Sequence, residues 1–307
     1  MSLLDIVLPV FLVIALGYLL RIVGLLRADV TPTLSRLVFY VAAPALIVRS
    51  IARTPLRESL DVASLSVLAG VTVLMASAVY LACWRLRPQR RGVVAQGAHR
   101  SNMVFMGLPV VAYAYGDEVL GPVSVTIGFM VMLYNFAAVL VLTLPHAETS
   151  SLSRTVWLAT ARRLLLNPLI LACAGGVLVR AVDLPLPLLA DRSLQLVGQI
   201  AMPLALLTVG ADLDFRRLRG DLGPAAMVSV LKLILYPSLV LVGLRWIGVQ
   251  GTAAEILVLV MASPTAVVSF IMAKEMRGDA DLAGAIVIGT TAFSLLTYLG
   301  WLVLFRI

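Results

Sequence analysis

Apolar positions in this chain gather into long blocks, and most polar positions fall in the short connections between them. A helix crossing the hydrocarbon core of a bilayer needs about 20 mostly apolar residues. That ruler predicts ten spans, near residues 3–20, 34–52, 62–84, 98–115, 119–144, 163–181, 194–211, 224–247, 253–275 and 283–305. The connections leave no room for a second unit, so residues 1–307 read as one all-α integral membrane domain.

The prolines inside the blocks are paired. Pro9 in span 1 and Pro168 in span 6 lie 159 residues apart, as do Pro44 in span 2 and Pro203 in span 7. Pro109 in span 4 and Pro264 in span 9 lie 155 apart. The surrounding words agree: VAAPALIV (41–48) resembles IAMPLALL (200–207), and MGLP (106–109) resembles MASP (261–264). Three pairs in matching order predict two five-span repeats, residues 1–145 and 163–307. Five is odd, so the second repeat enters the membrane from the opposite side. Inverted repeats with paired broken helices are a mark of secondary transporters.

Proline removes a backbone donor and clashes with the carbonyl four residues earlier. Backbone groups freed this way cannot face lipid; they are buried in protein or line a wet cavity. Breaks at Pro109 and Pro264, flanked by Gly107 and Ser263, would let spans 4 and 9 cross at mid-depth. Half-helix N-termini meeting there, with partial positive charge and unpaired N–H groups, would suit an anion. For Pro9, Pro44, Pro168 and Pro203 a simple bend in a packed helix serves equally well.

Composition adds the solvent. Hydrophobic residues make up 61% of the chain and charged ones 13%, against roughly 25% charged in a soluble domain. Lys and Arg outnumber Asp and Glu by 24 to 16. Nucleic-acid binding is excluded, because no soluble face is long enough to carry clustered base. The base follows topology instead. Loops 1–2, 3–4, 5–6, 7–8 and 9–10, with Arg100 counted among them, hold 16 Lys and Arg, and the opposite side holds seven. The richer side is expected in the cytoplasm, with both termini outside and the chain in the cell membrane. Cys83 and Cys173 lie inside apolar runs, so neither a disulfide framework nor a metal cluster is indicated. The start, MSLLDIVLPV, carries no base ahead of its apolar run and no cleavage signal, so no signal peptide is expected.

Four stretches, NMVFMGLPVVAYAYGDE (102–118), LNPLILACAGGVL (166–178), MPLALLTVGADL (202–213) and SPTAVVSFIMAKEM (263–276), resemble the motifs of the auxin efflux carrier family. That family includes plant auxin exporters and bacterial members described as malonate or malate carriers. The resemblance runs in order along nearly the whole chain. The long cytoplasmic loop of many plant members is absent, with only residues 145–162 in its place. It implies an elevator-type carrier of the bile-acid-carrier or Na+/H+-antiporter-like fold. Spans 1, 2, 6 and 7 would form a scaffold, usually dimeric, and spans 3–5 and 8–10 a moving transport unit. The substrate would be a small organic carboxylate, auxin-like or malonate/malate-like, held where spans 4 and 9 cross. In plant members an asparagine seven residues before the first crossing proline helps hold it, and Asn102 stands at that spacing from Pro109.

Taken singly, the polar residues divide. Asn102 can donate N–H groups to a carboxylate, or make an ordinary interhelical hydrogen bond. Asn135 in span 5 carries the same two readings, with Tyr134 beside it as packing. Ser263, Thr265 and Ser269 surround Pro264 and suit either substrate contact or capping of freed backbone. The series Thr290, Thr291, Ser294, Thr297 reads first as close helix packing. Lys232 lies about 12 Å into span 8 at 1.5 Å per residue. It either faces the crossing, neutralising a substrate carboxylate or replacing a coupling cation, or snorkels to the interface.

No Asp, Glu or His is read near the middle of any span, and His99 and His146 are placed in or beside loops. The sequence therefore gives little support for strict proton or sodium coupling, the alternative being a coupled symporter of the bile-acid-carrier type. An intramembrane enzyme would need a nucleophile with a base or clustered ligands, which the pattern does not offer. A cofactor is likewise not indicated.

Overall fold

The computed structural model describes residues 3–27, 29–54, 61–144, 162, 165–182 and 186–306. Every named element among them is a helix, and the only bridge outside strands is a single antiparallel one, Ser101 with Thr265. Among the described residues six helices are long and apolar enough to cross a membrane. In chain order with the shorter ones, the helices are α1 (Leu3–Ile22), α2 (Thr31–Arg53), α3 (Val62–Ala82), α4 (Pro88–His99), α5 (Met103–Tyr115) and α6 (Asp117–Thr143). They continue as α7 (Pro168–Ala181), α8 (Leu188–Asp212), α9 (Leu222–Trp246), α10 (Thr252–Met261), α11 (Val268–Glu275) and α12 (Ala280–Phe305). Each of the ten expected spans contains one of the six long helices or one of four shorter apolar ones, so this is a multi-pass membrane protein. The connection at 145–161, with His146, and the expected start of span 6 at residue 163 lie outside the described residues.

One boundary needs correction. Span 4 was expected to begin at residue 98, but α4 begins at Pro88, and its residues from Arg91 to His99 are all buried. Its sequence, PQRRGVVAQGAH, is polar, because a helix enclosed by protein need not be apolar toward lipid. Its first turn is fixed by ion pairs from Arg90 to Asp221 and Asp279, the residues that precede α9 and α12.

Prolines act locally as their chemistry dictates. Three π-turns, Val38–Ala42, Met103–Gly107 and Leu231–Leu235, each end two residues before a proline: Pro44, Pro109 and Pro237. The ring cannot donate and crowds the carbonyl four residues back, so the turn widens. The N–H ahead of each proline reaches five residues back, from Ala43 to Val38, Leu108 to Met103 and Tyr236 to Leu231. Four residues before Pro237, the Leu233 carbonyl accepts the Trp301 indole N–H at 3.0 Å.

Two packing groups follow from the side chains. The second half of α8 lies against α1 at backbone contact: a Cβ on Gly17 would stand 2.1 Å from the Leu207 carbonyl oxygen, and one on Gly210 1.9 Å from that of Ile14. α2 packs on α7 and on the first half of α8, where Arg49 and Arg53 reach Asp191 at 3.0 and 2.7 Å. Further contacts run among α3, α4, α6, α9, α10, α11 and α12, and the two groups meet where α6 packs on α2 and α7 and where α1 packs on α5 and α12. Large apolar side chains such as Leu12, Leu189 and Trp246 face outward, as a lipid-covered surface requires.

Candidate functional site

α4 stops at His99 because Arg100 turns extended (φ −84, ψ 101), and Asn102 lies outside helical space as well (φ −84, ψ 62). α10 stops at Met261, three residues ahead of Pro264. The residue before a proline is pushed out of the α region, so Ser263 cannot continue the helix. The two interruptions lie side by side. Asn102 N–H donates to the Pro264 carbonyl at 2.7 Å, and Ala266 N–H to the Arg100 carbonyl at 3.1 Å. Each interruption therefore satisfies backbone groups that the other has freed.

Side chains fasten this junction. Ser101 Oγ donates to the Met261 carbonyl at 2.9 Å, and Thr265 Oγ1 to that of Gly97 at 2.8 Å. Thr265 N–H donates to Thr290 Oγ1 at 3.1 Å, and Ser263 Oγ to the Val260 carbonyl at 2.7 Å. Four helix ends thus come together, the carbonyl ends of α4 and α10 and the N–H ends of α5 and α11, around the buried residues 99–103 and 261–266.

The charges there have one sign. Lys232, in the π-turn of α9, is fully buried, and its Nζ donates to the Met261 carbonyl at 2.7 Å. The ammonium also stands 4.8 Å from the centre of the Tyr236 ring. Of the two readings for Lys232, snorkelling is therefore overturned; the side chain points at the junction. Arg100 is 5% exposed and donates to the Tyr134 carbonyl (3.3 Å), to Asn135 Oδ1 (2.8 Å) and to Met272 Sδ (3.3 Å). Neither cation has a carboxylate partner among the described residues. Beside them runs a hydroxyl chain from Thr72 to Tyr236 (2.7 Å) and on to Tyr134 (2.9 Å), both tyrosines also touching Met261 Sδ.

Each expected residue has a definite place. Asn102 is 5% exposed, its backbone fully engaged, and its side-chain amide makes no hydrogen bond among the described residues. Asn135 is committed to protein, accepting from Arg100 and donating to the Val131 carbonyl at 2.9 Å. Ser263 and Thr265 cap backbone carbonyls, and Pro264 supplies the carbonyl that receives Asn102. Gly107 packs on α10, where a Cβ would lie 3.2 Å from the Val260 carbonyl oxygen. Pro109 is buried inside helix, so the break in span 4 lies at Arg100–Asn102 and not at Pro109. The ring of Pro109 is accommodated by the π-turn before it, and the helix continues. Thr291, Ser294 and Thr297 bond their own helix, as packing residues do, while Thr290 also receives Thr265.

Two residues were misplaced by the sequence reading. Arg100, assigned to a loop, sits at the junction, and His99, placed beside a loop, is fully buried at the end of α4. His99 Nδ1 lies 2.7 Å from the Ala95 carbonyl, and its Nε2 is buried with no hydrogen-bond partner among the described residues. The available signal was position: both residues fall within the expected span 98–115.

Comparison with known proteins gives a consistent result. A family model described as membrane transport protein matches residues 3–302. The chain is 28% identical over 306 residues to an "Uncharacterized transporter" of Methanothermobacter thermautotrophicus, covering 97% of this chain and 96% of that one. It is 26% identical over 309 residues to a "Putative malonate transporter" of Rhizobium meliloti, covering 98% and 95%.

Proposed function

The chain belongs to the membrane transport protein family that contains the auxin efflux carriers, and we propose that it carries small organic anions across the cell membrane. It is a transporter and not an enzyme. The observation that carries the substrate class is the pair of buried cations, Arg100 and Lys232, beside an unengaged Asn102 amide and without a carboxylate partner among the described residues. A buried charge is costly unless compensated, and several kcal/mol per ion remain even after relaxation. A carboxylate ligand completes such a site: Asn102 gives it N–H donors, and the two cations neutralise it. The relative named for malonate supports a dicarboxylate as the first substrate to try.

The mechanism in this reading is alternating access of the elevator type. α1, α2, α7 and α8 form the scaffold, the face through which two copies pair. α3–α6 and α9–α12, six of the ten spans that form two inverted repeats, carry the junction between the two sides, with both termini outside. The backbone-to-backbone contact of Gly17 and Gly210 supports a rigid scaffold. The Arg90 pairs with Asp221 and Asp279 support a transport unit that moves as one body.

The test is a melting series on purified protein with malonate, malate, succinate and indole-3-acetate. A ligand at a hundred times its Kd stabilises by about 2.7 kcal/mol, which raises the midpoint by about 5 °C or more. Asn102→Ala is expected to lose about tenfold in affinity, equivalent to 1.4 kcal/mol, with its own midpoint unchanged because no protein hydrogen bond is removed. No response to any carboxylate sinks the anion assignment; an equal response in the variant sinks the role of Asn102.

A further inference from the structure

A cavity of about 320 Å³ lies away from the junction, where the last turns of α9 and α12 meet the start of α10. Leu241 and Phe305 give it apolar walls, and Arg245, Gln250 and Glu255 give it polar ones. α9 and α12 are each long and apolar enough to cross the hydrocarbon core, so the cavity at their ends lies at headgroup depth. Trp246, the last residue of α9, is 89% exposed there, as aromatic side chains are at a membrane–water boundary. Val242, Val303 and Leu304, about one turn or less before those helix ends, are exposed and apolar, a surface for lipid chains.

The two charges lining the cavity are not spent on each other. No ion pair joins Arg245 to Glu255, and Arg245 reaches no carboxylate among the described residues. Glu255 Oε2 accepts the Tyr115 hydroxyl at 3.0 Å, and its Oε1 accepts no hydrogen bond among the described residues. A cation and an anion that share a cavity without pairing are complementary to a guest carrying both signs. The guanidinium fork suits a phosphate, and a carboxylate oxygen accepts the N–H of a primary ammonium.

We propose that this cavity holds the headgroup of a phospholipid with a primary ammonium, of the phosphatidylethanolamine type. Its phosphate sits on Arg245, its ammonium on Glu255, and its acyl chains run along α9 and α12. A choline headgroup has no N–H to give Glu255, and a glycerol headgroup has no cation. Depth and the apolar flank favour the lipid over the free headgroup. The site also reaches the interrupted spans. Tyr115 is the last residue of α5 and Glu255 lies in the first turn of α10, so their hydrogen bond ties a half-helix of each span at the edge of the cavity. A bound headgroup braces that end of the pair. The proposal needs only a multi-pass membrane protein and is independent of the anion carried.

The experiment is a melting series on delipidated protein in detergent with short-chain phospholipids, which takes bilayer curvature out of the comparison. Phosphatidylethanolamine is expected to raise the midpoint by about 3 °C or more over phosphatidylcholine and phosphatidylglycerol. Its N-methyl and N,N-dimethyl derivatives are expected to fall between, as N–H donors are removed stepwise. Arg245→Gln and Glu255→Gln are each expected to abolish the preference and to keep the lipid-free midpoint. The first breaks no ion pair, and the second can still accept from Tyr115. Wild type without headgroup preference, or a preference kept by either variant, overturns the proposal. Should the variants not fold, a flat response along the methylation series in wild type overturns it alone. Soluble O-phosphoethanolamine is expected to give no shift at the concentrations where the lipid acts; an equal shift assigns the cavity to the free headgroup and overturns the lipid reading. Malonate binding enters none of these outcomes, so the carrier reading fails or stands separately.

Discussion

In span 9 the interruption centres on Pro264, with α10 ending three residues before it and α11 resuming four residues after it. In span 4 the interruption precedes Pro109 by seven residues, and Pro109 itself is absorbed by a π-turn within α5. The side chains differ in step. The first interruption carries His99, Arg100 and Asn102, charged or amide groups able to meet a ligand. The second carries Ser263 and Thr265, whose hydroxyls are spent on backbone carbonyls. What the two interruptions share is backbone geometry; what they divide is labour. The first supplies charged and amide groups, and the second supplies the carbonyl end of α10, to which Lys232 donates, and the turn that pairs with the first.

The largest expected effect comes from removing the chemistry of the first half. Arg100→Ala deletes a buried cation and three of its contacts, to the Tyr134 carbonyl, Asn135 Oδ1 and Met272 Sδ. Hydrogen bonds to charged groups contribute about 1.5–3 kcal/mol, so malonate affinity should fall roughly 10- to 150-fold. Titration calorimetry against the wild type checks this. Retained affinity would move the anion away from span 4.

Exchanging the two prolines for alanine tests whether the halves are broken differently. Pro264→Ala restores an N–H and frees Ser263 to adopt helical angles, which lets α10 run on toward α11. The Pro264 carbonyl then leaves its place opposite Asn102, and affinity should fall about tenfold, or 1.4 kcal/mol. Pro109→Ala only lets a π-turn relax in a helix that already continues, so affinity should stay within about twofold, under roughly 0.5 kcal/mol. Equal losses in both variants would show that the interruptions are equivalent after all.

The amount legible beforehand follows from this division. The long apolar helices were readable because lipid-facing helices must be apolar, and the Pro109–Pro264 pairing picked out the two stretches that the Ser101–Thr265 bridge joins. The polar helix α4 escaped because hydropathy reports contact with lipid, and α4 has none to make between Arg91 and His99. Arg100 went with it. A charge at the edge of an apolar block looks the same whether it enters a loop or turns inward, and the turn depends on a hydrogen-bonded partner, Ala266, 166 residues away. For Lys232 the sequence posed the choice without deciding it, since snorkelling and burial differ only in rotamer and neighbours. Asn102 was readable from its spacing, but the reason it is available, a satisfied backbone beside an unengaged amide, is visible only in three dimensions.

The smallest expected effect separates holding from binding within the second half. Thr265 lies beside Pro264 and one residue from the backbone that pairs with Arg100, so position alone would make it a ligand. Its hydroxyl, however, donates to the Gly97 carbonyl near the end of α4. Thr265→Val keeps the shape and leaves that buried carbonyl without its donor, at a cost of about 1–2 kcal/mol. The melting midpoint should therefore drop by about 2–5 °C, while malonate affinity stays unchanged. Asn102→Ala should do the reverse. If Thr265→Val instead weakened malonate with the midpoint intact, its hydroxyl would be facing the anion. The second interruption would then share in the chemistry it is here assigned only to support.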